Sequence, residues 1–242
     1  MPELPRRAVI AITSYNEPIY ADGKRTGLFY TEALHPYEAL VKAGFEVDLA
    51  SETGTYGMDE HSTDDAYLTK EDKKTLNNPN HPFNVELNKK LHKASDLDPS
   101  KYGLFFASAG HATLWDYPKA KGLISLAEDI YKRGGVVSAV CHGPAILPFI
   151  RDLNSPTHDC IIRGKTVTGF TDLGEQILKL DEFIKKAGVQ TIEEGAAKVG
   201  ARYVAPAQPF DDFSLTDGKV VTGANPASAH STADKAIKAF DS

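Results

Sequence analysis

Cys141 is the residue best placed to do covalent chemistry. It lies in Ala139-Val140-Cys141-His142-Gly143-Pro144, between the apolar run that ends at Val140 and a second one, Ala145-Ile146-Leu147. A strand that breaks sharply into a helix projects one side chain into the crevice above a doubly wound sheet. The N–H groups and dipole of the new helix favour an anion there, so a thiol in that position is expected to shift toward thiolate, its nucleophilic form. The small neighbours Ala139 and Gly143 suit a crowded turn. A cysteine alone at a strand end is commonly a small buried hydrophobe. The adjacent His, Gly and Pro move the reading to a nucleophile. His142 titrates near neutrality, so it can take or shuttle the thiol proton.

Three further positions could serve this thiol. Ser108-Ala109-Gly110-His111 ends another apolar run. Gly110 lets the backbone approach a ligand closely, and its N–H, with His111 beside it, is a candidate oxyanion or substrate contact. Glu32, among apolar residues of the first helix, could share a proton with the thiol if buried beside it, or could simply complement the start of that helix. Glu175 could orient His142 as a third triad member does. Asp172 competes for that role or caps a helix. Cys160 lacks a comparable turn and is expected to be structural. The remaining histidines are scattered, with no zinc-site spacing, and neither a Walker A pattern nor G-x-G-x-x-G occurs.

The elements that must carry these residues alternate. Arg7–Ser14, with Ala8-Val9-Ile10-Ala11-Ile12 at its heart, reads as a strand buried on both faces. Phe29, Ala33, Leu34, Tyr37, Leu40 and Val41 recur at helical spacing up to Gly44, a C-cap position. Phe45–Ala50 and Tyr102–Ala107 read as strands, Ala120–Arg133 as a helix, and Val136–Val140 as the strand that delivers Cys141. Residues 51–100 break the rhythm, with one helix near Phe83–His92, and read as a cap-like insertion over a site. Beyond Cys141, strand character is expected at Ile161-Ile162 and Lys165–Gly169, and helices at Asp172–Leu180, Asp181–Ala187 and Thr191–Val199. A hairpin is expected at Asp217-Gly218, between Phe213–Thr216 and Lys219–Thr222, and a last helix over Ser228–Phe240. The pattern predicts one α/β domain over 1–242. Its core is a doubly wound, mostly parallel sheet flanked by helices, a flavodoxin-like sandwich with a nucleophile elbow.

Composition narrows the function. The chain has 242 residues, 41% apolar and 25% charged, with a formal net charge of −6. That is ordinary for a globular enzyme. An acidic balance argues against nucleic acid as a partner, which needs clustered basic groups. No apolar run is long enough for a membrane span. Met1–Arg7 is charged, and no apolar core of signal-peptide length follows it. Two cysteines suit a reducing compartment. The expected location is the cytoplasm, with the nucleus as a second compartment.

Several runs, in order along nearly the whole chain, make the sequence resemble the PfpI-type, class I glutamine-amidotransferase-like superfamily. Within it the chain is most similar to the fungal glutathione-independent glyoxalase III branch, also described as heat-shock chaperones. The runs are Ala11-Ile12-Thr13-Ser14-Tyr15-Asn16, Glu32-Ala33-Leu34-His35-Pro36, Ser51-Glu52-Thr53-Gly54, Phe106-Ala107-Ser108-Ala109-Gly110-His111, Ala139-Val140-Cys141-His142-Gly143-Pro144-Ala145, Thr168-Gly169-Phe170-Thr171-Asp172, and Thr222-Gly223-Ala224-Asn225-Pro226-Ala227-Ser228-Ala229-His230-Ser231. The resemblance implies a Cys141-His142-Glu175 triad, with Glu32 approaching the thiol and Gly110 as the oxyanion glycine. It also implies conversion of methylglyoxal and related 2-oxoaldehydes to 2-hydroxy acids (glyoxalase III, or D-lactate dehydratase, activity), with no metal or other cofactor and no glutathione, in a homodimer. The alternatives are a holdase chaperone that binds unfolded proteins, a protein deglycase and, behind these, a cysteine peptidase. Amidotransfer fits less well, because those enzymes carry their histidine far downstream of the cysteine.

Overall fold

The computed structural model describes residues 4–242; Met1–Glu3, the start of the charged N-terminal stretch, lie outside the described residues. The first half of the chain forms β1 (Arg7–Ile12), α1 (Tyr30–Lys42), β2 (Glu46–Ser51), α2 (Lys70–Leu76), α3 (Pro82–Lys89) and β3 (His92–Lys93). Next come β4 (Leu104–Ala107), α4 (Thr113–Asp116), α5 (Lys121–Lys132) and β5 (Val136–Val140). The second half holds β6 (Thr166–Val167), α6 (Asp172–Leu178), α7 (Asp181–Ala187), α8 (Ile192–Lys198), β7 (Arg202–Tyr203), β8 (Ser214–Asp217), β9 (Val220–Gly223) and α9 (Ala229–Phe240).

Seven strands form one sheet in the order β3-β2-β1-β4-β5-β9-β8. Every pair is parallel except the β8–β9 hairpin at the edge. This is the doubly wound α/β sandwich that the alternation predicts. Its two cores follow from the period of two along each strand. Ile10, Ile12, Leu104, Phe106 and Val140 face one way and pack with residues of α1 and α9. Val9, Ala11, Phe105, Ala107, Val137 and Ala139 face the other way, against α5 and Tyr117. Strand order reverses between β1 and β4, where such sheets open a crevice at the carboxyl ends of their strands. The segments after β4 and β5 begin with Ser108 and Cys141, so both site-bearing turns emerge at one end of the sheet.

Three expectations need correction. Ile161-Ile162 is a turn, not a strand; both side chains are buried in the second core, which explains their apolar character without sheet pairing. Of Lys165–Gly169 only Thr166–Val167 is strand, and it pairs with β7 in a separate two-stranded sheet. The segment after Cys141 is a 3₁₀ helix over Gly143–Phe149; Pro148 lacks the N–H that an α-helix would donate to the Pro144 carbonyl. The hairpin lies where Asp217-Gly218 placed it, with Gly218 at φ +62°. Gly44 caps α1 at φ +83°.

Close packing beneath the elbow explains Gly143. A Cβ there would stand 2.5 Å from the Ala107 carbonyl oxygen on β4, a backbone atom that cannot yield. Gly143→Ala should therefore destabilise the fold by about 1–3 kcal/mol, the usual cost of overpacking. Urea unfolding monitored by circular dichroism measures it.

Candidate active site

β5 ends at Val140, and Cys141 turns the chain with φ +57°, a left-handed conformation that a non-glycine residue holds only when its surroundings enforce it. They do so from two sides. The Cys141 N–H donates to the Gly223 carbonyl at 2.9 Å, and the Cys141 carbonyl accepts from the Phe170 N–H at 2.8 Å. The turn leaves the His142 N–H as the backbone donor aimed at the sulfur. The cysteine's own amide is spent on β9, so the backbone donors left for an oxyanion are the His142 N–H and groups of other segments. Gly110, at φ +134° and lining the same cavity, stands in that position. A side chain there would clash with the Gly27 carbonyl oxygen, so only glycine fits.

Around the sulfur the structure brings together all six residues singled out from the sequence. His142 Nδ1 lies 3.1 Å from Cys141 Sγ, and His142 Nε2 lies 2.7 Å from Glu175 Oε1. Glu175 sits in the first turn of α6, whose N-cap is Thr171, with its hydroxyl accepting from the Gly174 N–H at 2.8 Å. Asp172 is therefore not the capping residue, and it does not take the orienting role. The second oxygen of Glu175 accepts from His111 Nε2 at 3.0 Å. One carboxylate thus serves two imidazoles whose ring centres are 4.0 Å apart.

The charges follow from this sharing. Burial raises Glu175, but the two histidines outweigh it and hold the carboxyl well below its ordinary range. Burial disfavours charge on His111 too, yet the ion pair with Glu175 prevails and its imidazole is pushed up. His142 is pushed down to about 4, first by burial and then by repulsion from His111. At neutral pH His142 is therefore uncharged. With its single proton on Nε2 donating to Glu175, its Nδ1 lone pair faces the thiol.

Glu32 is fully buried in α1, and neither carboxyl oxygen has a satisfied hydrogen bond. The polar group it faces is the Cys141 thiol. Burial pushes the carboxyl well above the usual carboxylate range. The thiol is pushed up as well, by burial and by the Glu32 and Glu175 carboxyls, against the His142 N–H. The resting pair thus holds at least one proton at neutral pH. The resting thiol is therefore not the helix-stabilised thiolate expected from the sequence: burial and the two carboxyls outweigh the donor at the start of the 3₁₀ turn.

Two residues of the site carry no signal in the sequence. Tyr20 donates to Asp59 Oδ2 at 2.7 Å, and its oxygen lies 3.4 Å from His111 Nδ1. Asp59 is buried and also accepts from Thr26 Oγ1 and the His61 and Ser62 N–H groups. These side chains hold the far edge of His111. Both lie in loops with no periodicity, and only the fold joins them to residue 111. Cys160 is half-buried, its thiol donating to the Leu147 carbonyl, as befits a structural role.

Cys141, His142, Gly110 and His111 line the floor of a cavity of about 630 Å³, with Glu32 and Glu175 buried behind them. Of residues 51–100, His61 and Tyr67 line it; the remaining wall comes from Tyr20, Phe29, the α6 region, Phe210 and Asn225–Ala227. His111, His142 and Glu175 offer atoms within 4.8 Å of one another, a donor set that a divalent transition metal accepts. Both imidazoles already spend those atoms on the carboxylate, so an ion would compete with the hydrogen bonds that orient His142.

The chain belongs to the DJ-1/PfpI family, whose model matches residues 27–239. It is 53% identical to Glyoxalase 3 of Candida albicans over 97% of this chain and 98% of that protein. It is 50% identical to the glutathione-independent glyoxalase HSP31 of Saccharomyces cerevisiae over 98% of each. The crystal structure of glyoxalase III from Candida albicans superposes with a TM-score of 0.94, at 53% identity and 97% coverage of both chains.

Nuclear magnetic resonance titration of the histidines tests the charge assignment. His142 should titrate near pH 4. His111→Gln should move that midpoint upward, since it removes a repelling cation and leaves Glu175 to His142 alone. An unmoved midpoint would show that His111 carries no charge.

Proposed function

We propose that the protein is a glutathione-independent glyoxalase of the glyoxalase III type, converting methylglyoxal and related 2-oxoaldehydes to 2-hydroxy acids. One observation carries the reading: a thiol at the floor of one cavity, in contact with a neutral, carboxylate-oriented imidazole and backed by a buried carboxyl that burial pushes up. The similarity to proteins named as such glyoxalases supports it.

The reaction is an internal redox: the aldehyde carbon is oxidised and the adjacent ketone carbon reduced, so no external electron carrier is needed. The Cys141 proton passes to His142 Nδ1 as sulfur bonds to the aldehyde carbon, giving a hemithioacetal. The oxygen that gains charge faces Gly110. The imidazolium returns its proton to that oxygen, and His142, again neutral, takes the proton of the former aldehyde carbon as Glu32 protonates the ketone oxygen; the enediol then collapses to the thioester as the Glu32 carboxylate takes the proton of the first oxygen and His142 protonates the neighbouring carbon. His142 and Glu32 are the two carriers in reach. Glu32, neutral at rest, supplies a proton to the ketone oxygen, and the imidazolium of His142 is held by Glu175. Water then cleaves the thioester, releasing the 2-hydroxy acid and the thiol. Cys141 thus takes the part glutathione plays elsewhere, and the activity falls in the lactate dehydratase class of lyases.

This proposal includes a homodimer and a cytoplasmic setting, with the nucleus as a second compartment. Among the described residues no helix is long and apolar enough to cross a membrane. Holdase activity is a second reading, favoured by the exposed side chains of Leu173, Ile177 and Phe183. Suppression of aggregation by Cys141→Ala would separate it from the enzyme.

Lactate formation from methylglyoxal, assayed without added thiol, tests the reading. Wild type should turn over. Cys141→Ala should lose at least about a thousandfold in kcat, as nucleophile deletions do. Glu32→Gln, which keeps shape but not proton exchange, should lose about a hundredfold or more. Equal turnover by wild type and Cys141→Ala would refute it.

A further inference from the structure

Methylglyoxal is a three-carbon molecule, while cavities of 300–1,000 Å³ accommodate drug-sized ligands. At about 630 Å³ this one has far more room than the reacting carbons require. Its polar groups gather round the sulfur, where Tyr20, His111 and His142 are linked through Asp59 and Glu175. Apart from His61, Tyr67 and Asn225, the rest of the wall is apolar. Phe170 stacks on His142 with ring centres 4.4 Å apart, and Phe210 follows at 6.2 Å from Phe170. Phe29 and Tyr67 form an edge-to-face pair at 5.2 Å. This aromatic surface runs from the buried floor, where Phe170 is 4% exposed, to the mouth, where Phe210 is 46% exposed. Among the described residues that line the cavity, none is Lys, Arg, Asp or Glu.

Phe210 is held in place, although it lies on an irregular surface segment. Asn225 is fully buried and its amide donates to the carbonyls of Pro209 and Asp211, one on each side of Phe210. Its side-chain oxygen accepts from the N–H and hydroxyl of Ser228. The run Thr222–Ser231, prominent in the sequence but absent from the chemistry, thereby fixes an exposed phenyl ring at the mouth. A large apolar side chain kept in water by a dedicated buried amide is what a binding wall requires and a bare surface loop does not.

We propose that the outer cavity is a receptor for an uncharged aryl or branched-alkyl substituent on the ketone carbon, so that the enzyme prefers aromatic 2-oxoaldehydes over methylglyoxal. The inference rests on the glyoxalase reading. With the aldehyde carbon on Cys141 Sγ, the substituent extends along Phe170 toward Phe210, and its burial covers apolar surface otherwise exposed. The lining residues offer no lysine or arginine to recognise a carboxylate or phosphate on the substrate's far end.

The test is kcat/KM for methylglyoxal and phenylglyoxal, measured on wild type, Phe210→Ala and Phe210→Leu. Because the two aldehydes differ in intrinsic reactivity, the change in their ratio between variants is decisive. Wild type should favour phenylglyoxal by about tenfold or more, the scale on which apolar pockets discriminate by size. Phe210→Ala should lower that ratio by about tenfold, and Phe210→Leu should recover part of it. Turnover of methylglyoxal with a wild-type ratio at or below one, or a ratio unmoved in Phe210→Ala, overturns this inference alone. Turnover of neither aldehyde overturns the glyoxalase reading and this inference with it.

Discussion

The site depends on the Glu175 carboxylate being shared between two imidazoles. Two neutral histidines would leave a buried anion uncompensated, and two charged ones would repel across 4.0 Å. The carboxylate pushes His111 toward its charged form, while His142, held down to about 4, stays neutral with its free nitrogen toward the thiol. Burial makes this division strict, because in a low-dielectric interior a surplus charge of either sign is costly. Tyr20 and Asp59 extend the constraint outward by holding the other edge of His111. On the opposite side of the sulfur, Glu32 keeps its proton for the same reason: a second anion there would face the thiol with no partner.

The fold positions these groups by bringing separate segments to one end of the sheet. Cys141 and His142 come from the end of β5, Gly110 and His111 from the end of β4, Glu32 from α1 and Glu175 from α6. Phe170 and Gly223 pin the two backbone groups of Cys141, and Gly143 lies against the β4 backbone. The strained φ of the nucleophile is thus maintained by the neighbouring strand ends rather than by the cysteine itself.

Much of this is legible in the sequence where local rules apply. The apolar runs at Ala8–Ile12 and Val136–Val140, the cap at Gly44 and the hairpin at Asp217-Gly218 each follow from period, glycine conformation or turn chemistry. Cys141 and His142 are visible because strand, nucleophile and turn are contiguous. Ile161-Ile162 misleads because burial and strand pairing produce the same apolar run. The 3₁₀ character after Gly143 follows from Pro148, inside the turn, which has no N–H to donate four residues back. Thiol activation by a helix N-terminus is the wrong mechanism because burial and two carboxyls, which the local sequence does not show, push the thiol up. Tyr20, Asp59 and the aromatic wall at Phe210 are hidden for a different reason: their roles come from tertiary contacts between irregular segments, which carry no periodic signal.

The central claim is that all of these constraints converge on Cys141 Sγ as the atom that bonds to substrate. Rapid acid quench of the wild-type protein during turnover of methylglyoxal, followed by peptide-resolved mass spectrometry, measures this directly. A substrate-derived adduct on the peptide bearing Cys141, decaying as lactate appears, is the predicted result. Turnover with that peptide unmodified, or with the transient adduct on Cys160 instead, would contradict it.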